Sequence, residues 1–246
     1  MTQQTCRRSR SPKGGQNLVV PWKCAIQKCA VTTENADFLQ ERDFFSRYRE
    51  GLLRDTTLSG EVSTAIRVVL DRYNTTVWEN RFIVGGVVEQ IIGASARELG
   101  LVVANAGKQN QGYDLELDKT RDLGISIKGI FASTGGMHNL VNFRSSGESE
   151  DLRSRWSRAT IFVMSDVGVG YIDPQMGSEF LHQTADALQI SGKKLKAWWD
   201  EHPEWLVSVA IPKKSNLEAT RVASDAVSWD IFNDFSRLRK NWQPEI

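Results

Sequence analysis

The chain has 246 residues, a formal net charge of +1 at neutral pH, 40% hydrophobic and 25% charged residues. That length suits one large domain or two small ones, and no apolar run approaches the roughly 20 residues of a membrane span. Three cysteines, Cys6, Cys24 and Cys29, are too few and too odd in number for a disulfide scaffold. They fit a reducing compartment, so a cytoplasmic location is expected.

The charge is uneven. Residues 1–33 carry six basic side chains (Arg7, Arg8, Arg10, Lys13, Lys23, Lys28) and no acid, leaving 25 basic against 30 acidic residues in the remainder. A nucleic-acid-binding body must then work through local basic patches. Residues 1–33 read as a basic, flexible N-terminal arm, with a tail that lies on DNA as the functional alternative. Arg7-Arg8 is followed by no apolar core, so export is not expected. Cys24 and Cys29 would need further ligands to hold zinc, and His138, His182 and His202 are far off in sequence.

Glu34 to Asn74 reads as two helices. Phe38, Phe44, Phe45, Tyr48 and Leu52 recur at near-helical spacing, and Val62, Ile66, Val69, Leu70 and Tyr73 follow Ser59. Trp78 to Leu99 is a third, long helix with a broad apolar stripe. Gly85, Gly86 and Gly93 interrupt it, which is costly by propensity but permits close approach to a sheet. Glu89 lies within it, either on the solvated side or looking toward the segment that follows.

Leu101–Ala104 is a short apolar strand, and Asn105–Gln111 a polar loop. Then come Gly112-Tyr113-Asp114-Leu115-Glu116-Leu117-Asp118 and Gly124-Ile125-Ser126-Ile127-Lys128-Gly129. Both alternate polar and apolar residues, the period of a half-buried strand. Thr120 and Asp122 suit a turn between them, so an antiparallel hairpin is expected. Pairing Asp118 with Gly124 puts Glu116 opposite Ser126 and Asp114 opposite Lys128, each pair about 5 Å apart at Cβ. Two carboxylates, a hydroxyl and an ammonium would share one face above an aliphatic floor.

The strand continues through Ile130 and Phe131 to a turn at Ser133–Gly136. His138–Phe143 returns as another strand and ends in a loop at Arg144. Arg153, Arg155 and Arg158 surround Trp156, which suits phosphate contact and stacking, or equally a solvated helix start. Ala159–Met164 and Gly168–Ile172 read as buried strands with a turn at Asp166. Phe180–Ile190 and Ser191–Trp199 read as helices, Trp205–Ile211 as a last strand and Trp229–Leu238 as a closing helix. Residues 34–246 are read as a single α/β domain, a central mixed β-sheet flanked by helices.

A helix carrying Glu, then Gly-Tyr-Asp on one strand and Ser-Ile-Lys on the next, resembles the PD-(D/E)XK nuclease superfamily, and within it a type II restriction endonuclease. The likeness covers about residues 80–143. It implies a restriction-endonuclease-like fold. It also implies that Asp114 binds a divalent metal, that Lys128 positions or activates the attacking water, and that Glu89 is a further acid. Tyr113 stands where the family has proline, and Ser126 where it has the second acid. Some restriction enzymes are similar in carrying Ser-x-Lys there, with a carboxylate supplied from elsewhere. Glu116 and Glu89 are the candidate donors.

Phosphodiester hydrolysis needs an activated water and positive charge where negative charge develops, and a metal ion supplies both. Mg²⁺ needs only one or two carboxylates besides phosphate and water. The catalytic candidates are therefore Asp114, Lys128, Ser126, Glu116 and Glu89, with Asp114, Glu116 and Glu89 as metal ligands. Arg144, Arg153, Arg155 and Arg158 are candidate DNA contacts. The expected activity is Mg²⁺-dependent, sequence-specific cleavage of double-stranded DNA by a homodimer, since two-fold symmetry serves palindromic cutting. The alternatives are a non-catalytic DNA-binding or interaction module on a degenerate nuclease fold, and a structure-specific repair nuclease. No membrane partner is expected.

Overall fold

Three helices form the first layer of a computed structural model that describes residues 38–75, 78–106, 112–131, 135–142, 156–184, 186–211 and 230–243. The expected N-terminal arm, all three cysteines, Arg144, Arg153 and Arg155 lie outside these residues. Helix α1 (Leu39–Arg54) buries Phe44, Phe45, Tyr48 and Leu52. It stops at Asp55, whose carboxylate accepts from Leu58 N at 2.9 Å and so caps α2 (Thr56–Arg72). Helix α3 (Trp78–Glu98) is apolar nearly all round, because α1 and α2 cover one side and a sheet the other.

That sheet has six strands. They are β1 (Ala104–Asn105), β2 (Leu115–Asp118), β3 (Leu123–Ile130), β5 (Ala159–Met164), β6 (Gly168–Ile172) and β9 (Leu206–Val207), in that spatial order. The β3–β5 pair is parallel and the other pairs are antiparallel. A second, three-stranded antiparallel sheet has the order β4 (Met137–Asn142), β8 (Ala187–Ser191), β7 (Leu181–Gln183). The fold is thus α/β, with a mixed sheet and a smaller sheet flanked by helices.

Period-2 alternation divides the larger sheet into two cores. Leu115, Ile125, Ile127, Ile161, Val163, Val169 and Tyr171 face α1, α2 and α3. Ile130, Phe162, Met164 and Ile172 face the other way, into a core shared with Leu188 and Ile190 of β8 and with α5 (Gly192–Glu201). Trp199 of α5 fills that second core. A Cβ on Gly170 would lie 2.5 Å from its ring, and its Nε1 donates to Tyr171 O at 2.9 Å. The short helix α4 (Pro174–Gly177) is capped by buried Asp173. Helix α6 (Ser236–Lys240) ties the C-terminal part to α3 and Asp55 through Arg237, which meets both Glu98 and Asp55.

Four expectations are corrected. Phe180–Ile190 is not a helix: β7 and β8 form a hairpin there, and Thr184 Oγ1 accepts from Ala187 N at 3.0 Å in the turn. The strand after the glycine turn does not extend the meander. It pairs with β8 in the second sheet, and the further neighbour of β3 is β5. The last strand keeps ladder pairing only at Leu206 and Val207. The closing helix is broken at Phe235 into a 3₁₀ segment, Asp230–Asp234, and α6. Among the described residues no helix is long and apolar enough to cross a membrane.

Candidate active site

The expected hairpin forms, but with its strands displaced by two residues from the expected pairing. Glu116 pairs with Gly124 and Leu115 with Ile125, and a bulge then lets Asp118 pair with Leu123. The cause is the turn. Asp118 accepts from Thr120 N at 2.9 Å and caps a 3₁₀ turn over Lys119–Arg121, and Asp122 then takes a left-handed conformation with φ 53°. This consumes one residue fewer than a five-residue connection, and the bulge at Leu117 consumes one more in β2.

A shift of two keeps every side chain on its face. Asp114, Glu116, Ser126 and Lys128 all share one side and are all half-buried, while Leu115, Ile125 and Ile127 are buried on the other. What changes is who stands opposite whom. Asp114 N donates to Ile125 O at 3.0 Å, Ser126 Oγ donates to Asp114 Oδ2 at 3.0 Å, and Ile127 N donates to the same oxygen at 2.5 Å. Asp114 therefore stands against Ser126. Glu116 lies on one side of that pair and Lys128 on the other, each about 7 Å along its strand. Lys128 is diagonal to Asp114, not opposite it.

Two donors on Asp114 Oδ2 fix the carboxylate in one orientation. Its second oxygen, Oδ1, takes no hydrogen bond among the described residues, nor do the side chains of Glu116 and Lys128. Oxygen donors for a hard cation and an ammonium for a phosphate or water thus stand on one rigid ladder. A metal fits this donor set: Mg²⁺ takes one or two carboxylates, and Asp114 with Glu116 supplies that number. Among the described residues no group of three or more His, Cys, Asp or Glu gathers.

Glu89 is not on this face. Helix α3 packs on the opposite, apolar side of the hairpin, where a Cβ on Gly93 would lie 3.1 Å from Leu115 Cδ2. Glu89 Oε1 instead lies 4.0 Å from where a Gly85 Cβ would stand, turned toward the N-terminal half of the helix. Arg158 is half-buried and engaged with Asp122, through both its carbonyl and its carboxylate, and its guanidinium sits 5.2 Å from the centre of the Tyr113 ring. Trp156, expected as a stacking surface, is buried in the second core with Nε1 donating to Thr160 Oγ1 at 3.2 Å. It therefore presents no ring face for a nucleotide.

Three residues around the site were given no part in it from sequence. Thr160 pairs with Ser126 across β3–β5 and anchors Trp156, where the polar face meets the second core. Tyr113 is buried and its ring lies over Gly124, where a Cβ would come within 2.2 Å. His138 has a buried Nε2 with no hydrogen-bond partner among the described residues. The readable signal was the pair of glycines bracketing β3. Gly124 lies under the Tyr113 ring and Gly129 under that of Phe131, and glycine in a strand marks such close approach. No family model, curated protein or solved structure matches the chain.

Proposed function

We propose that the chain is a Mg²⁺-dependent endonuclease that hydrolyses double-stranded DNA at a specific sequence, acting as a homodimer on a restriction-endonuclease-like fold. The observation that carries this reading is the joint placement of Asp114, Glu116, Ser126 and Lys128 on one half-buried face, with Asp114 oriented by Ser126 Oγ and Ile127 N. The antiparallel β1–β2–β3 ladder continued by parallel β5 supports the fold assignment.

Asp114 and Glu116 would hold the magnesium ion. When bound, that ion supplies Lewis-acid polarisation of the phosphate and lowers the pKa of a coordinated water. Ser126 keeps the Asp114 carboxylate turned for this task. Lys128 places a compact positive charge beside it, suited to orienting the water or to stabilising charge on a non-bridging oxygen. The sheet behind these residues is packed on its other face, so the constellation stands on a rigid support.

The test is incubation of the full chain with a large DNA of known sequence and Mg²⁺, followed by sequencing of the ends. Ends at one recurring sequence support the reading. Ends at scattered sequences or at junctions point to a structure-reading nuclease. Retained binding without cutting points to a non-catalytic module, for which the Ser126 substitution of an acid is the motivating feature.

A further inference from the structure

The smaller sheet commits only one of its faces to the core. Ile190 of β8 stands opposite His138 of β4 and Leu181 of β7, and with Leu140 and Leu188 it packs on Ile130, Phe162 and Met164. Ile130 follows Lys128 by two residues, so the smaller sheet is built on the same side of the larger one as Lys128 and Ser126. The alternate positions point outward. There Gln189 stands opposite Asn139 on one side and His182 on the other. Asn139 and His182 are exposed and Gln189 is half-buried. Gln189 Nε2 donates to Asn139 Oδ1 at 2.8 Å, which holds the two amides edge to edge. Exposed Met137 and Ser191 are the next outward pair.

Asparagine is depleted in strands, and a face that meets only water is well served by charges of both signs. Here none of the three strands carries an acid. Outside residues 1–33 the chain holds 25 basic against 30 acidic residues, so the acid-free face is a local choice. Asp186, in the β7–β8 turn, lies at the far end of β8 from Lys193. Past Ser191, α5 opens with Gly192-Lys193-Lys194 and is tied to the start of β4 by Gly192 N, which donates to Gly136 O at 2.9 Å. Both lysines are exposed, and neither forms an ion pair among the described residues. Positive charge in the first turn of a helix opposes its macrodipole. Their placement therefore favours an anion outside the helix, not the helix itself.

We infer that the outer face of the smaller sheet reads base edges in the major groove of duplex DNA, with Gln189 and Asn139 on the bases and Lys193 and Lys194 on flanking phosphates. The choice of DNA as partner rests on the nuclease reading above, and this face is the specificity surface of that activity. Dimensions favour the major groove. Two strand spacings of about 4.8 Å make the His182–Gln189–Asn139 row about 10 Å wide. The major groove, about 12 Å wide, admits such a row, and the minor groove, about 6 Å wide, does not. Side-chain chemistry agrees. Amides pair bidentately with the N6 and N7 edge of adenine, and an exposed apolar side chain such as that of Met137 can meet the thymine methyl. A protein partner would need a cluster of apolar anchors. Among the described residues of these strands, only Met137 is a large exposed apolar side chain.

The experiment uses the full chain in Ca²⁺, so that binding is read without cutting. Selection from a pool of random duplexes gives the preferred sequence, and fluorescence anisotropy gives the affinity for it and for a scrambled duplex. Asn139→Ala and Gln189→Ala should each weaken the preferred duplex by about five- to a hundredfold and the scrambled one by less than about twofold. Gln189→Glu, which keeps the shape and adds negative charge, should weaken both. The double variant Lys193→Ala, Lys194→Ala should weaken both alike and reduce the slope of log K against log salt by up to about two. Arg47→Ala on α1 should change neither affinity, and thermal melts separate any folding defect. Unchanged preference in the amide variants overturns base reading even if the lysine variant binds less. Tighter binding of duplex RNA, or no binding of duplex DNA, overturns it too. If these variants lose binding but the chain never cuts in Mg²⁺, the nuclease reading fails and the surface stands. Site-specific cutting that all of them leave untouched defeats the surface alone.

Discussion

Ser126 Oγ donates to Asp114 Oδ2 at 3.0 Å, so a hydroxyl two residues ahead of Lys128 sets the orientation of the carboxylate on the neighbouring strand. A hydrogen bond to a charged group contributes about 1.5–3 kcal/mol. Ser126→Ala should therefore lower cleavage by about ten- to a hundredfold while leaving the fold intact. Turnover at saturating DNA is the readout, and a Ser126→Ala chain as fast as wild type would exclude this role. Asp114→Asn should abolish cutting altogether.

Glu116 shares the Asp114 face and Glu89 belongs to the helix on the other side of the sheet. Glu116→Ala should cost about a hundredfold or more in rate, in the range typical for removing a charge-stabilising group. It should also raise the Mg²⁺ concentration needed for half-maximal rate. Glu89→Ala should leave that Mg²⁺ dependence where it was. The reverse pattern in timed digests would reassign the second ligand to Glu89.

Lys128 forms no ion pair among the described residues, so its removal exposes no orphaned acid within the fold. Lys128→Ala should lose about two to three orders of magnitude in cleavage while retaining sequence-specific binding in a Ca²⁺ gel shift. Lys128→Arg should rescue only in part, because a planar guanidinium cannot place a point charge in the same spot. Near wild-type cutting by Lys128→Ala would remove this hairpin from the chemistry.

Gly124 carries no chemistry, yet a Cβ there would come within 2.2 Å of the Tyr113 ring and 2.7 Å of Leu115 O. Gly124→Ala should destabilise the chain by about 1–3 kcal/mol through overpacking. It should also depress cleavage, since Tyr113 immediately precedes Asp114. Gly60→Ala is the control: nothing lies within 4 Å of the added methyl, and in the α2 interior it should stabilise by up to about 1 kcal/mol. Thermal melts of both variants decide the point.

Glu41 is 4% exposed beside fully buried Asp173. Burial, joined by the Asp173 charge, holds its carboxyl above the ordinary 4.5, against a hydrogen bond from its own backbone N–H and the weaker pull of Arg158 and Arg42. The folded chain therefore binds the Glu41 proton more tightly than the unfolded chain does. Its stability should fall as pH rises through the interval between 4.5 and the raised folded value. Glu41→Gln should melt higher than wild type at pH 8, and the difference should shrink at pH 4. An unchanged difference across that range would show that Glu41 does not titrate with folding.

Alternation made the hairpin's faces legible: Leu115, Ile125 and Ile127 had to lie together, and so did Asp114, Glu116, Ser126 and Lys128. Register was not legible, because it depends on a bulge at Leu117, which nothing local marks, and on a left-handed Asp122, a conformation that Asp tolerates without requiring it. Helices α1, α2 and α3 were readable from long periodic runs. The β7–β8 hairpin was not, because Phe180, Leu181, Leu188 and Ile190 recur at spacings that imitate a helical stripe. That β4 leaves the larger sheet for β8 is a tertiary choice, and it also buries Nε2 of His138. Nothing in the local residues marks either outcome. Arg158 looked like a free cation in sequence, and only the fold brings Asp122 to it.

The smaller sheet is stitched from distant parts of the chain, with Gln189 Nε2 donating to Asn139 Oδ1 across 50 residues at 2.8 Å. The β2–β3 hairpin, by contrast, closes over a four-residue turn. Closing the longer loop costs more chain entropy before any contact repays it. The Asp114–Ser126 pairing should accordingly form early in refolding and β4–β8 late. Pulsed hydrogen exchange would then show amides of residues 124–127 protected before those of 137–142, which pair only with β8 among the described residues. A late-folding β4 also means that Nε2 of His138 is buried last, so a slowly maturing chain would carry the Asp114–Ser126 pairing before it carries the smaller sheet.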